Sequence, residues 1–445
     1  MKKKLLASLL SVTSAISIAD VSLYGKLALG IHQDNFQNST EPNTTSIQDF
    51  GSYFGIRGYD QVYGQTSAIW QIEQFLDLVA GQAYTVNTGG NLIIPRDGVT
   101  GPQGGREIVQ LNTLASGESY LGLQGLWGRL RIGNLSNYVR SSMGAVDLYI
   151  YAAGADGASV YSRTPLLLPT SIRFDSPTWA GFSFAAMYSF QSSNQGGIYA
   201  LGAANSLGPG GLNGFYSGGI YTLGAGWAGN NFTVKATTMI NQDVGSYTNN
   251  FSSSFNSVGA TYPNSSYNNA YANRIEVGYN DPDGAIAGIG LQTTSGWGWN
   301  AWPNSGGSWG NYITNPGFNY PGLNSNQFQT QEVGLSVGWH LGPWTPKASY
   351  LYGNNLMYNS NVVNVAVGNG NQIPNSGYQQ ILGEIDWNIT PRTIVFVNYG
   401  QIWFGNTIAN ISFCGNSCAN VTSVDASNRY ARSQGTGGIG FTHTF

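Results

Sequence analysis

VSLYGKLALGI, residues 21–31, alternates two kinds of side chain. Val21, Leu23, Leu27, Leu29 and Ile31 fall on one face, and Ser22, Tyr24, Lys26 and Ala28 on the other. A period of two residues is the signature of a β-strand whose faces meet different surroundings. Comparable runs recur to the C-terminus, among them ESYLGLQG (118–125), SIRFDS (171–176), NRIEVGYN (273–280), QEVGLSVGW (331–339) and LGEIDWNI (382–389). Each is bounded by Gly, Pro, Asn or Asp, which delimit strands. The chain closes on GGIGFTHTF, residues 437–445, where Ile439, Phe441 and Phe445 share one face.

Between these runs the connectors come in two sizes that alternate. Seven are tight: 60–65, 125–128, 176–181, 227–231, 281–284, 340–343 and 388–392. Eight are long and polar, at about 34–49, 78–115, 135–168, 192–215, 242–268, 296–325, 354–376 and 405–432. Fifteen connectors join sixteen strands. Long connectors without structure of their own are uncommon in compact soluble domains. Short turns at one rim and long loops at the other, with an even strand count, organise a barrel of the bacterial outer membrane. Backbone groups at bilayer depth must be paired within the protein, so a sheet can span only when closed. Sixteen strands leave an aqueous channel at the centre.

Composition agrees. Charged residues are 9% of the 445, aromatics 13%, and Gly accounts for 62, while mean hydropathy is −0.15. Ordinary soluble proteins carry about 25% charged residues and about 7% Gly. Such a chain suits a surface with lipid on one side and water on the other. The start, MKKKLLASLLSVTSAISIAD, has a basic end, a short apolar run and small residues before Asp20. This pattern predicts a signal peptide over residues 1–19 and a barrel over 20–445. Without the leader lysines, 15 basic residues stand against 21 acidic ones, which argues against a nucleic-acid partner. Cys414 and Cys418 frame CGNSC; in an exported protein they are a disulfide candidate, with metal ligation the weaker reading.

Five blocks in fixed order carry a resemblance: VSLYGKLALGI, SYFGIRGYDQVYGQTSAIWQIEQFLD (52–77), ESYLGLQGLWGRLRIGN (118–134), SIRFDSPTWAGFSFAAMYSF (171–190) and GIGFTHTF (438–445). Together they resemble the trimeric, sixteen-stranded porins of Gram-negative bacteria, from the mature start to the last residue. The resemblance implies an all-β transmembrane antiparallel barrel with short periplasmic turns, long extracellular loops and a third loop folded into the lumen. It implies a homotrimer in the outer membrane, in contact with lipid and lipopolysaccharide and delivered by the outer-membrane assembly machinery. It implies passive diffusion of small hydrophilic solutes and ions, with Phe445 as an assembly signal. The chain departs from the pattern in its low loop charge and in its Asn- and Trp-rich insertions, Trp297, Trp299, Trp302 and Trp309 among them.

A channel needs a constriction whose size and lining charges select solutes. Inward positions of the strands supply Lys26, Arg57, Glu73, Glu118, Arg129, Arg131 and Arg173, and the third long connector supplies Asp147 and Asp156. Basic residues on one wall opposite acidic ones on an inward loop would create a transverse field. The plainer alternative is that the arginines pair with Glu73, Glu118 or loop carbonyls and brace the wall. Arg274, Glu276, Lys347, Glu384 and Asp386 read as general lumen lining.

Enzyme motifs match only on paper. GTGGIG (435–440) leads into a strand rather than a nucleotide-binding helix. GLSVG (334–338) places Ser336 inside an alternating strand with no strand-to-helix elbow. Three scattered histidines give no acid–base or metal constellation, so neither enzyme nor cofactor is expected. Besides a general porin, two readings remain open: a sugar-preferring porin, suggested by the Trp-rich loop, and a non-conducting adhesin or structural barrel with large exposed loops.

Overall fold

The computed structural model describes residues 20–37, 43–76, 78–79, 85–86, 92–93, 114–141, 144–150, 157–158, 164, 166–190, 219–245, 267–295, 328–355, 357–358, 377–404 and 433–445. Residues 1–19, expected as a leader, the Trp-rich stretch and both cysteines lie outside them. The strands are β1 (Asp20–Gln37), β2 (Thr44–Asp49), β3 (Tyr53–Tyr63), β4 (Thr66–Phe75), β5 (Thr85–Val86), β6 (Leu92–Ile93), β7 (Ser119–Gly125), β8 (Gly128–Ser136), β9 (Leu167–Asp175) and β10 (Phe182–Ser189). They continue with β11 (Ile220–Gly229), β12 (Phe232–Gly245), β13 (Tyr267–Asn280), β14 (Ala285–Ser295), β15 (Phe328–Trp339), β16 (Trp344–Gly353), β17 (Met357–Tyr358), β18 (Tyr378–Thr390), β19 (Thr393–Phe404) and β20 (Ser433–Thr444).

All but the β5–β6 hairpin belong to one antiparallel sheet of eighteen segments. β2 continues β3 on the same side of β1, and β17 extends β16 along β15. The walls therefore number sixteen, the count expected from the connectors. Each wall pairs with the next, and β20 pairs with β1 from Lys26↔Thr444 to Gln37↔Ser433, which closes the barrel and leaves no wall unpaired. The seven tight turns fall where Gly and Pro mark them. The first long connector is shorter than expected: β1 runs on to Gln37 and β2 begins at Thr44. Polar IHQDNFQ still alternates there, with His32 and Asp34 buried inward and the Asp34 carboxylate accepting the Thr436 hydroxyl at 2.7 Å.

Side-chain direction follows the alternation. Along β18, inward Tyr378, Gln380, Leu382, Glu384 and Asp386 are buried, while outward Ile381, Ile385 and Trp387 are exposed. At the seam, Val21, Leu23, Ile31, Ile439 and Phe441 all lie outward and exposed. An apolar exterior this broad is stable only against hydrocarbon. Aromatic pairs ring the tight-turn rim, such as Trp344 stacked on Trp387 at 5.4 Å and Phe232 against Tyr279 at 4.8 Å, as expected of an interfacial girdle.

The glycines of GTGGIG have a packing role. Phe50 leaves the wall between β2 and β3, where Gly51 takes φ +83°, and its buried ring lies over Gly30 and Gly438. Phe396 meets Phe50 edge-on at 4.9 Å and covers Gly440. A Cβ on Gly440 would lie 2.5 Å from the Leu29 carbonyl and 2.8 Å from the Phe396 ring. Gly440→Val should therefore overpack the closing seam and destabilise the barrel by about 1–3 kcal/mol, the usual scale of overpacking. Urea unfolding in detergent micelles checks it; an unchanged midpoint would contradict the seam packing.

Candidate functional site

What sits inside the barrel decides what it can do. After β8 the chain turns inward. Asn137 starts a single helical turn, Tyr138–Ser141, and its Oδ1 accepts the Val139 amide at 3.1 Å. From there residues 144–150 follow the inner wall from β13 towards β19. The Ala145 amide donates to Glu276 Oε2 at 2.9 Å, and the Ala145 carbonyl accepts the Ser336 hydroxyl at 2.5 Å. The Leu148 carbonyl accepts Lys347 Nζ at 2.6 Å. The Ile150 amide donates to Glu384 Oε2 at 2.9 Å, and its carbonyl accepts Asn398 Nδ2 at 2.6 Å. Further along, the Gly157 carbonyl accepts Gln380 Nε2 at 2.8 Å. This inner segment belongs to the third long connector, and wall side chains satisfy backbone groups at Ala145, Leu148, Ile150 and Gly157.

Two features of the strands make that approach possible. First, inward positions of β14 and β15 hold glycine where the segment passes. A Cβ on Gly288 would overlap the Ala145 carbonyl, and one on Gly334 would lie 2.7 Å from Val146. Second, the anchoring charges are themselves compensated. Lys347 Nζ also reaches Glu384 Oε1 at 2.6 Å and Asp386 Oδ2 at 2.7 Å. Arg274 bonds Gln292 and the Val139 carbonyl. Tyr149 donates to Ser349 at 2.5 Å, and burial pushes its phenol above the ordinary value, so it serves as a neutral donor. Ile150 completes the packing against Ala28, Phe50 and Phe396.

Among the described residues the segment runs along the walls from β11 to β19 and reaches Ala28 of β1, while β3, β4, β7 and β8 line the other side of the lumen. Most of the predicted charges stand there. Lys26 donates to the Phe50 carbonyl at 3.1 Å. Glu73 accepts the Tyr24 hydroxyl at 3.0 Å and the Glu118 amide at 3.2 Å. Arg131 is buried between Glu118 at 2.9 Å and Asp175 at 2.7 Å, and Arg173 bonds Asp175 at 2.7 Å and the Ser136 carbonyl at 3.2 Å. Two arginines and two carboxylates there form a neutral brace that ties β7, β8 and β9 to the root of the inner segment.

Arg57 and Arg129 differ from these. Arg57 is exposed to the lumen, touching Ser22 Oγ at 3.3 Å and lying 5.0 Å from the Tyr24 ring centre. Arg129 stands near the tight turn joining β7 to β8. Among the described residues neither has a carboxylate partner. Asp147 is half-buried on the inner segment. Asp156, Cys414 and Cys418 lie outside the described residues. Phe445 pairs its backbone with Gly25 at 3.1 Å in both directions, and its ring rests on that glycine. His443 faces Thr393 Oγ1 at 2.8 Å beside a tight turn. The residues that sequence reasoning undervalued are Glu276, Ser336, Lys347, Glu384 and Asn398. Their signal was charge and glycine on one inward face.

A family profile described as Gram-negative porin matches residues 6–407. The major outer membrane protein P.IA of Neisseria meningitidis serogroup C is 30% identical over 208 residues, which is 42% of this chain and 46% of that protein. The major outer membrane protein P.IB of Neisseria sicca is 24% identical over 415 residues, 90% of this chain and 94% of that protein. In fold the chain is similar to the anion-selective porin from Comamonas acidovorans, with TM-score 0.56, 14% identity and coverage of 96% of this chain and all of that one.

Removing Lys347 tests the anchoring. Lys347→Met leaves Glu384 and Asp386 buried without their cation, a change of about 3–5 kcal/mol for a broken buried pair. The inner segment should loosen, giving noisier single-channel currents at unchanged trimer or monomer content. Quiet currents of wild-type size would show that Lys347 does not hold it.

Proposed function

The chain belongs to the Gram-negative porin family, and we propose that its lumen favours small anions through Arg57 and Arg129. The protein is an outer-membrane porin, a water-filled channel for passive diffusion of small hydrophilic solutes. The observation that carries the anion preference is the contrast between the two sets of arginines. Arg131 and Arg173 share Glu118 and Asp175, so their field is largely cancelled at short range. Arg57 is exposed, and among the described residues its side chain touches a hydroxyl and an aromatic ring and no carboxylate. A hydrated anion passing β3 gains attraction without stripping a carboxylate from its partner. A cation meets repulsion at the same depth. The Comamonas acidovorans protein, similar in fold, is an anion-selective porin, which is in keeping with this reading.

The remaining assignments belong to the same proposal. Residues 1–19 are a cleaved leader, and β1 begins at Asp20, the first residue after it. Cys414 and Cys418 form a disulfide in the last long loop. Three copies assemble in the membrane, where lipid and lipopolysaccharide surround them. Phe445, ordered against Gly25, presents the terminal strand to the assembly machinery. Ser336 is engaged by the Ala145 carbonyl, which supports a structural rather than a nucleophilic role for GLSVG.

In planar bilayers the protein should insert with conductance steps in threes. The reversal potential in a potassium chloride gradient should indicate chloride preference. Arg57→Gln should move the permeability ratio toward unity, and Arg129→Gln less so. Screening lengths are about 10 Å at 0.1 M salt and about 3 Å at 1 M, so the shift should fade as salt rises. A cation-selective wild type, or a ratio indifferent to Arg57, would overturn the assignment.

A further inference from the structure

The outer face of β12–β15 carries a continuous polar row among apolar neighbours. Thr238, Asn273, Thr293 and Gln331 stand opposite one another on four adjacent strands, each pair in direct register. They form an uncharged polar row across a surface that faces lipid, reaching towards the long-connector rim at Gln331. Thr238 Oγ1 donates to Asn273 Oδ1 at 2.7 Å, and Asn354 Nδ2 donates to Gln331 Oε1 at 3.2 Å. Among the described residues the amide nitrogen of Asn273 has no partner. Polar groups in hydrocarbon require hydrogen-bond partners.

Beside the row lies a concavity of about 790 Å³, floored by small Ala186, Ala225 and Ala236 and walled by Phe184, Leu223 and Leu291. A second concavity of about 410 Å³ shares Asn273 and Thr293 with it and continues past Ser295 and Gln329 to Met357. The groove therefore changes character along its length. Its apolar end lies at mid-strand, since β12 runs on to Gly245 beyond Thr238. Its polar end lies at the long-connector rim, since β15 begins at Phe328, close to Gln331. Arg274, the cation at its border, turns inward to Gln292, so the outward lining carries no charge.

We propose that this groove binds one acyl chain of a membrane lipid, with the ester or amide linkage of that chain on the Thr238–Asn273–Thr293–Gln331 row. The gradient from alkyl to amide and hydroxyl matches an acyl chain and its linkage. Among the described residues the lining turns no cation outward, which argues against recognition through phosphate. A bilayer supplies such chains at the groove continuously, at the right orientation and depth. The inference rests on the barrel standing in a membrane but not on the ion preference proposed for the lumen.

Photocrosslinking tests it in vesicles of phosphatidylethanolamine doped with a photoreactive acyl chain. Wild-type protein should label on the β11–β14 surface, at peptides bearing Ala236 or Ile275. Ala225→Leu with Ala236→Leu fills the groove and should lose that labelling several-fold while conductance stays at the wild-type level. Asn273→Leu, a milder change, should weaken labelling and serves if the double variant fails to fold. Unaltered conductance separates failure of the groove from failure of the channel reading. Labelling spread evenly around the barrel, or kept in both variants, would overturn the proposal. So would a disulfide between copies carrying Ala236→Cys, which would make a second barrel the occupant.

Discussion

Every wall of this barrel needs a neighbour on each side, because lipid offers no hydrogen bonds to an exposed strand edge. That requirement reaches its sharpest form where the chain's two ends meet. β1 and β20 are separated by almost the whole sequence, yet they pair from Lys26 to Gln37, and Phe445 bonds the backbone of Gly25. Closure at that seam fixes the register of all the other walls in turn, since each strand's alternation leaves only one face fit for lipid. The side chains at the seam are chosen for it. Gly30, Gly438 and Gly440 let two backbones lie close beneath the rings of Phe50 and Phe396, and those rings in turn support Ile150.

Closing a sheet of sixteen walls makes an interior too wide for side chains to fill. The molecule fills part of it with its own main chain. An irregular segment inside a barrel brings unpaired amides and carbonyls that water or wall side chains must satisfy. Here Glu276 and Glu384 accept amides, and Ser336, Lys347, Gln380 and Asn398 donate to carbonyls. Glycine at 288 and 334 removes the side chains that would keep the segment at a distance. Charge on β13, β16 and β18 is therefore spent on architecture. The free charge that can act on solutes is left to the uncovered walls, where Arg57 stands.

How much of this can be read in the amino acids depends on range. Strand faces are local: a period of two shows in ten residues, and Gly, Pro and Asn mark the tight turns. The sixteen walls, the seven turns and the inward or outward choice at Tyr24, Lys26 or Glu73 all follow from such short windows. The first long connector misled because HQDNFQ is polar apart from Phe36, and its alternation becomes meaningful only once Thr436 meets Asp34 from the far end of the chain. The anchors of the inner segment are equally remote. Glu276 meets Ala145 across 131 positions and Asn398 meets Ile150 across 248. No local pattern announces a contact of that separation, so these residues look like ordinary lumen lining.

The same distinction separates bracing arginines from selecting ones. Arg57, Arg129, Arg131 and Arg173 are indistinguishable by strand parity, since all point inward. Their neighbours decide. Arg131 has Glu118 and Asp175 within 2.9 Å, so a solute that borrowed its charge would have to break a buried pair. Breaking such pairs is costly, typically about 3–5 kcal/mol, far more than a passing ion can return in a water-filled channel. Arg57 asks nothing of that kind: its side chain is exposed, and among the described residues its contacts are a serine hydroxyl and a tyrosine ring. Selectivity in a diffusion pore must come from charges that can be shared briefly and released. By that criterion the proposed anion preference rests on the exposed arginine of β3, while the buried ones brace the wall through Glu118 and Asp175.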